Sequence, residues 1–300
     1  MCGRVAAVDV AARANLTQAL RAADRCLKVP QIGDRRPVRA PLVPGPIWLD
    51  EMPTPATAES PLGPDAPLLE VMRTMRAMRR LKPDPVPRAL LEQIVQAATW
   101  APSASNTQAF TYVIVTERDQ MRALAEPWRA CVDFYQRTAV PPAGMDRGRF
   151  ERMLAASRHQ AERFAEVPAV IVPCYELGPW QRQVERNVAG VARGLAGLGV
   201  RRSLSLIRNS RRAVAITEAG CVFPGAQNLL LTARAHGLGA VLTTWHLEQE
   251  QEFKAILGIP RRVKTFCMIP VGWPTGRFGE VRRRPAAEVI RYERWSGDGT

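Results

Sequence analysis

Apolar and polar positions along this chain recur with two different periods, which predicts both helices and strands. Leu90, Leu91, Ile94, Val95 and Ala98 follow the spacing of an amphipathic helix. Apolar runs typical of buried strands lie at residues 109–115, 167–175, 240–245 and 263–271. Further helices are predicted at residues 117–135, 150–164, 213–236 and 248–257. The order of these elements predicts an α/β or α+β sandwich.

The first part of the chain lacks this periodicity. Prolines recur from Pro30 to Pro67, and only residues 10–26 have a helical pattern. Residues 1–66 are therefore predicted to be a Pro-rich, largely disordered or loosely docked extension, and residues 67–300 to be the folded domain. Within that domain, interspersed glycines and arginines make residues 176–212 the least predictable segment.

Arginines are concentrated at the start of the domain. Arg73, Arg76 and Arg79 recur at every third residue, so a helix would place their guanidinium groups on one face. Guanidinium forks suit phosphate oxygens and carbonyl acceptors, and we predict an anion-binding platform at this face. A solvated helical face without a ligand is the alternative.

A polar loop follows the first amphipathic helix. Residues 103–108 read Ser-Ala-Ser-Asn-Thr-Gln and connect that helix to the strand at 109–115. The amides and hydroxyls of such a loop can hydrogen-bond the polar edge of a ring. The arginines and this loop are together predicted to hold a flat, anionic cofactor from two sides.

Residues 76–115 strongly resemble the amino-terminal signature of the nitroreductase family. In that family an Arg/Ser/Arg start is followed by a Pro-Val turn, a helix and an A-P-S-x-x-N-x-Q loop that enters a strand. Residues 237–242 resemble the family's helix-to-strand turn beside the flavin. Residues 270–274 and 282–285 resemble its closing strand and its basic phosphate-contacting turn. The resemblance covers residues 68–295 in the expected order.

This resemblance implies a central mixed or antiparallel sheet flanked by helices, and an intertwined homodimer with FMN at its interface. It also implies transfer of electrons from NADH or NADPH to a small oxidant such as a nitroaromatic, a quinone or an activated alkene. Residues 176–212 would form a lid or helical insertion near the flavin. Because FMN performs the redox chemistry in this family, no catalytic side chain is predicted.

Carried over residue by residue, the resemblance gives a set of cofactor-binding positions. They are Arg76, Ala77, Arg79, Ser103, Asn106, Gln108, Thr243, Thr244 and Arg283. Met75 and Ala77 stand where many members have an arginine and a serine, so one charge and one hydroxyl are missing. Thr243, Thr244 and Trp245 replace an acidic Glu-Gly pair of one branch, and Trp245 is expected to pack in a core.

Composition limits the other classes of function. The net charge of +14 could attract nucleotides, acidic substrates or nucleic acid, but no zinc-finger spacing or RNP-like strand supports a nucleic-acid partner. The six cysteines include no C-x-x-C pair and the three histidines are isolated, which argues against a metal site. No apolar run is long enough to cross a membrane and no secretory signal is evident, so a cytoplasmic protein is expected.

Two alternative functions stay open at this point. The altered positions Met75, Ala77, Thr244 and Trp245 are compatible with a protein that sequesters or modifies FMN without nicotinamide turnover. The other alternative is a basic interaction protein built on a degenerate flavin fold. Binding of FMN and oxidation of NADH or NADPH would distinguish both from a reductase.

Overall fold

The computed structural model of the chain describes Gly63, residues 65–176 and residues 178–295. Its helices are α1 (Leu68–Thr74), α2 (Arg88–Thr99), α3 (Arg118–Thr138), α4 (Arg147–Glu162), α5 (Gly178–Arg186), α6 (Val188–Leu198), α7 (Val200–Ala235), α8 (Glu250–Leu257) and α9 (Ala286–Val289). Its strands are β1 (Phe110–Val115), β2 (Ala169–Tyr175), β3 (Gly239–Ala240), β4 (Lys264–Thr265) and β5 (Ile269–Gly272). Short 3-10 helices lie at Ala104–Asn106, Phe164–Glu166 and Trp245–Gln249. The helix predicted at 10–26 and almost all of the predicted extension lie outside the described residues.

The described strands form one antiparallel sheet in the order β1-β2-β5-β3, with β4 pairing to the far end of β2. Phe110 lies opposite Tyr175 where β1 begins. Ala169, at the other end of β2, lies opposite Val271. Lys264 of β4 also lies opposite Tyr175, so β4 and the first residue of β1 flank the same end of β2.

The sheet separates two buried clusters of apolar side chains. Successive side chains of a strand point to opposite faces. Val170, Val172 and Cys174 accordingly join one cluster, and Ala169 and Ile171 join the other. Helices α3, α4 and α8 contribute to the first cluster, whereas α2 and residues 226–233 of α7 contribute to the second. Helices therefore cover both faces of an antiparallel sheet, which confirms the predicted fold class.

The helix predicted for the arginine cluster is wrong. Helix α1 ends at Thr74, and Met75 already has extended backbone angles of φ −69° and ψ 120°. The following residues run as an extended segment because Met78 N donates to the Ala240 carbonyl at 3.0 Å. Pairing with a strand far along the chain thus outweighs the helical spacing of the arginines.

Two predicted strands are shorter than expected. The run at 240–245 contains only the last residue of β3 and an isolated bridge between Thr243 and Met268, after which the chain turns into a 3-10 helix. The run at 263–271 is divided into β4 and β5, because these two strands pair with opposite ends of β2. The predicted helix at 213–236 is, in contrast, the second half of the longer α7.

The cysteines in the described part of the chain are buried and form no disulfide. They are Cys131, Cys174, Cys221 and Cys267. Burial raises the pKa of Cys131 to about 11, that of Cys174 to about 11 and that of Cys267 to about 12. Cys2 and Cys26 lie outside the described residues.

Residues 189–209 belong to a separate compact unit, and the other described residues belong to the larger one. Within residues 189–209, the Ser203 hydroxyl donates to the Leu195 carbonyl at 2.7 Å. The role of lid for residues 176–212 stays a prediction. No helix among the described residues is long and apolar enough to span a bilayer.

Candidate functional site

A cavity of about 250 Å³ lies beside the extended segment that follows α1, and we call it the arginine cavity. Its lining residues are Arg76, Ala77, Met78, Arg79, Arg80, Ala156, Thr275, Gly276 and Arg277. Four of these residues carry guanidinium groups, and no carboxylate is among them. The donor set is therefore suited to an anion.

Backbone hydrogen bonds build the floor of the arginine cavity. Beyond the bond from Met78 to Ala240, Lys82 N donates to the Trp273 carbonyl at 2.7 Å. Thr275 N donates to the Arg80 carbonyl at 3.1 Å, which joins the two walls of the cavity. The arginine segment is thus fixed as an extra extended strand beside β3 and the end of β5.

Gly239 allows this segment to approach the sheet closely. A Cβ atom at Gly239 would lie 2.9 Å from the Cβ of Met78 and 3.1 Å from the Cβ of Pro274. Such distances are shorter than van der Waals contact, so a larger residue would displace the segment that carries Arg76 and Arg79.

A buried arginine, Arg234, contacts the end of α1 and the chain that follows Arg277. Arg234 is only 1% exposed, its Nε donates to the Thr74 hydroxyl at 2.9 Å, and its guanidinium lies 4.1 Å from the centre of the Phe278 ring. Arg73 forms ion pairs with Glu70 and Glu280. These contacts join the end of α1 to the chain that follows Arg277, and so fix the two walls relative to one another.

Arg79 is the half-buried arginine of the cavity. Burial lowers the pKa of its guanidinium, and nearby Tyr135 opposes this shift. A partly desolvated cation gains more from an anionic partner than a solvated one. An anion beside Arg79 would therefore gain more than one beside the exposed arginines of the cavity.

The polar loop at residues 103–108 has an unusual backbone. Ser105, Asn106 and Gln108 have positive φ angles of 52°, 51° and 47°. Non-glycine residues adopt this left-handed conformation rarely, and it is held only where surrounding contacts compensate. Backbone strain of this kind is common where a loop presents its side chains to a ligand.

Side chains hold the polar loop in this conformation. Gln108 N donates to the Ser103 hydroxyl at 3.1 Å, and Ala104 N donates to the Cys221 sulfur at 3.1 Å. The hydroxyls of Thr107 and Tyr175 are 2.8 Å apart and share a hydrogen bond. Tyr175 and Cys221 therefore anchor the loop to β2 and α7.

The polar loop and the arginine cavity occupy opposite corners of the sheet within one chain. Ala77 pairs with Ala240 of β3, Ala240 lies opposite Val271 of β5, and Val271 lies opposite Ala169 at one end of β2. The loop enters β1 at the other edge, next to the Tyr175 end of β2. The six residue steps from Ala169 to Tyr175 along β2 span about 20 Å, and the three strand spacings from β3 to β1 span about 14 Å. Because these two directions are roughly perpendicular, the arginine cavity and the polar loop are on the order of 25 Å apart. The expectation that both hold one cofactor from two sides is not met within a single chain.

A buried histidine lies at the same corner as the polar loop. The Nε2 atom of His246 is 3.1 Å from the Thr265 hydroxyl, which itself donates to the Glu250 carboxylate at 2.8 Å. Burial lowers the pKa of His246 to about 4. Because the Thr265 proton is directed to Glu250, Nε2 carries the imidazole proton, and Nδ1 is buried without a hydrogen-bond partner.

The family model described as Nitroreductase family matches residues 72–273, about two thirds of the chain. The chain belongs to this family. The assignment confirms the expectation of a nitroreductase-family oxidoreductase.

Several relatives resemble the chain over most of its length. A protein named NADH dehydrogenase from Thermus thermophilus is 28% identical over 217 residues, which cover 72% of this chain and 91% of that protein. An iodotyrosine deiodinase from Nematostella vectensis is 21% identical and covers 81% of this chain and 80% of its own length. The structure of oxidized iodotyrosine deiodinase bound to FMN and 3-iodo-L-tyrosine superposes with a TM-score of 0.54 at 17% identity, covering 76% of this chain and 100% of that one. This last similarity concerns the fold alone.

The remaining positions carried over from the nitroreductase family lie outside the arginine cavity. Thr243 pairs with Met268 through its backbone, and its hydroxyl accepts from Trp245 N at 3.4 Å. Thr244 is exposed and precedes the 3-10 helix. Arg283 is exposed, and its Nη1 donates to the Arg282 carbonyl at 2.9 Å. Their role in cofactor binding stays a prediction.

The cavity also contains residues that the sequence did not single out. Ala156, Thr275 and Arg277 line it beside the predicted Arg76 and Arg79. The signal for Arg277 was available, because it follows the closing strand directly after Gly276. The signal for Ala156 was not, because a small apolar residue on α4 has no chemical signature.

Trp245 packs as expected. Its ring centre is 5.7 Å from that of Trp128 and 5.5 Å from that of Tyr135. It is partly buried against the cluster that contains Trp128. The expectation that this tryptophan belongs to a core is confirmed.

Proposed function

We propose that this protein is an FMN-dependent oxidoreductase that uses NADH or NADPH to reduce small oxidants such as nitroaromatics, quinones or activated alkenes. The observation that carries the proposal is the arginine cavity, which is lined by four arginines and by no carboxylate. The family assignment and the FMN named for the iodotyrosine deiodinase structure support the same cofactor.

The residues present fit the phosphate end of FMN. Arg76, Arg79 and Arg277 are the cations that would hold the phosphate oxygens. At Ala77 the cofactor would meet a methyl group, since alanine stands where many members have a serine hydroxyl. Bound FMN supplies the transfer of hydride from the nicotinamide to the oxidant, and the protein supplies binding and electrostatics.

Because the arginine cavity and the polar loop of one chain lie far apart, the proposed FMN site includes a second copy of the chain. One chain keeps its polar loop on the order of 25 Å from its own arginine cavity, as the strand spacings require. In an isologous homodimer, the loop of each subunit would instead meet the cavity of the other. Ser103, Asn106 and Gln108 would then supply donors and acceptors to the flavin ring held by the partner.

The proposed reaction balances without a catalytic side chain. One NADH or NADPH and one proton reduce a nitro group to a nitroso group and water, with release of the oxidised nicotinamide. Arg79 would favour negative charge at its side of the cofactor, because its guanidinium is partly desolvated. Quinones and activated alkenes would accept the same two electrons and two protons.

The proposal is tested by the visible absorbance of the purified protein with and without added FMN, followed by anaerobic addition of NADH or NADPH. We expect a bound-flavin spectrum that bleaches with one nicotinamide and recovers when a nitroaromatic is added. Arg79→Ala should weaken FMN binding roughly ten- to a hundredfold, because it removes charge-assisted hydrogen bonds. Arg88→Ala is the matched control, since Arg88 is 92% exposed on α2.

Other outcomes of this experiment are equally informative. Bound flavin that stays oxidised with both nicotinamides would favour a protein that sequesters FMN. Absence of FMN uptake would reject the site itself.

A further inference from the structure

A second cavity, of about 350 Å³, lies where α7 passes the end of β4, and we call it the Arg211 cavity. Its lining residues are Ser210, Arg211, Val214, Ala215 and Lys264. It shares no residue with the arginine cavity. Its volume is at the lower end of the range for small-molecule sites.

Arg211 gives the Arg211 cavity its positive charge. The Lys264 ammonium lies 2.8 Å and 2.5 Å from the two carboxylate oxygens of Glu218, which is 3% exposed. The positive charge of Lys264 is therefore neutralised by Glu218. No carboxylate lines the cavity, so the charge of Arg211 is directed to whatever enters it.

The Arg211 cavity lies at the corner of the sheet that holds the polar loop. Lys264 is opposite Tyr175, and the Tyr175 hydroxyl contacts Thr107 of the loop. Val214 packs against the buried cluster of Tyr175, Cys221 and Val222, which also contacts Ala104. The cavity and the loop thus rest on the same side chains.

We infer that the Arg211 cavity selects the oxidant and that Arg211 binds a carboxylate carried by it. This inference rests on the proposed function, in which the polar loop meets the flavin and the oxidant must bind beside both. Val214 and Ala215 offer an apolar wall to an aromatic or alkene body, while the guanidinium offers two parallel donors to a carboxylate. The substrate class is therefore a small unsaturated carboxylate with a reducible group, such as a nitrobenzoate.

The test compares two oxidants that differ in charge but hardly in shape, 4-nitrobenzoate and 4-nitrobenzamide. The measured quantity is the ratio of their kcat/KM values with the holoenzyme and its preferred nicotinamide. Arg211→Ala should lower the anion-to-neutral ratio roughly five- to tenfold, because an exposed charge-assisted contact is lost. Arg211→Lys should keep most of the preference, and Arg211→Glu should reverse it.

Arg212→Ala is the matched control for the general field of a chain with a net charge of +14. It removes the same charge from the neighbouring position on α7, which does not line the cavity. A ratio that falls equally in both variants would overturn the inference in favour of general attraction. A ratio unchanged by Arg211→Ala would overturn it as well.

Calorimetric titration with 4-nitrobenzoate gives a second readout that needs no turnover. Binding should be weaker in Arg211→Ala than in Arg212→Ala, and should weaken as salt screens the contact. Absence of binding to the natural protein would reject the inference. Failure of FMN uptake or of nicotinamide bleaching would instead reject the proposed function, so the two failures are distinguishable.

Discussion

The arginine cavity and the polar loop are held in place by different kinds of contact. The arginine segment is fixed by backbone hydrogen bonds to Ala240, Trp273 and Thr275. The polar loop has backbone hydrogen bonds within itself, such as Asn106 N to the Ser103 carbonyl at 2.9 Å, but it is attached to α7 and β2 by side chains, namely the Cys221 sulfur and the Tyr175 hydroxyl. Backbone pairing tolerates substitution of the exposed side chains, whereas each side-chain anchor of the loop is specific to its residue.

The difference also separates two tasks. The cavity presents fixed charges whose protonation does not change near neutral pH, which suits a phosphate. The loop presents neutral amides and hydroxyls on a strained backbone, which suits the edge of a ring. Substitutions in the arginine cavity should therefore lower the affinity for FMN, whereas substitutions in the polar loop should change how the flavin ring is oriented.

The largest expected effect comes from combining defects at the two corners. Arg79→Ala damages the cavity, and Asn106→Gly removes the loop amide while tolerating the positive φ. A heterodimer with one subunit of each kind, purified through two different tags, should regain about half of the natural activity, because one of its two shared sites is intact.

A heterodimer of Arg79→Ala with Arg76→Ala subunits is the control and should regain nothing, since both defects lie in the cavity. If the loop acted within its own chain, the Arg79/Asn106 heterodimer would be no more active than its parents. That result would break the proposed division of the site between subunits.

Gly239→Ala should damage the cavity corner and leave the loop in place. Its new Cβ would lie 2.9 Å from Met78 Cβ, and overpacking of this kind costs about 1–3 kcal/mol of unfolding free energy. FMN affinity should fall with thermal stability. Gly220→Ala on α7 is the control, because a Cβ there meets nothing within 4 Å. Equal stability of the two variants would contradict the close approach.

The loop corner should be sensitive to acid. The pKa of folded His246 is about 4, whereas that of an unfolded histidine is about 6.5, so between these values the unfolded chain binds more protons. Its contribution to stability is complete above pH 6.5 and is lost as the pH falls towards 4. From pH 7 to pH 5 the loss should be about 2 kcal/mol.

Denaturant unfolding at several pH values measures this contribution. His246→Gln removes the titrating group, so its stability should vary less over the same interval, whatever its absolute value. Parallel curves for the variant and the natural protein would show that another group carries the acid sensitivity.

The smallest expected effect concerns the anchor of the loop. Tyr175→Phe removes the hydrogen bond to Thr107, and should lower the free energy of unfolding by about 1 kcal/mol and weaken FMN binding severalfold. Tyr292→Phe is the control, since Tyr292 is 62% exposed. Unchanged FMN affinity in Tyr175→Phe would separate the loop from the cofactor.

Local periodicity in the sequence was sufficient to predict the elements that bury one continuous face. Helix α2 and strand β1 lie where the apolar spacing predicts them, because α2 buries Leu91, Ile94 and Ala98 and the apolar side chains of β1 pack against the core clusters. The short strands were not predictable in the same way. Their ends are decided by where β2 offers a partner, and register with a distant strand is not encoded in local periodicity.

The sequence was sufficient to predict which residue types the candidate site contains, but not how these residues are arranged in space. Arg76 and Arg79 line one cavity as the anion-binding hypothesis requires, although in an extended segment and not on a helix. Asn106 and Gln108 lie in the predicted loop, but at the other corner of the sheet. Spacing along the chain indicates which groups are present, whereas the distance between them depends on strand order.

The buried cysteines have a consequence for an enzyme that handles electrophiles. Quinones and nitroso compounds react with thiolates far more readily than with thiols. With a pKa of about 11, Cys131 and Cys174 are deprotonated in only about one molecule in ten thousand at pH 7. Cys267, with a pKa of about 12, is still less reactive. The same burial that completes the core would thus protect the protein from alkylation by its own substrates and products.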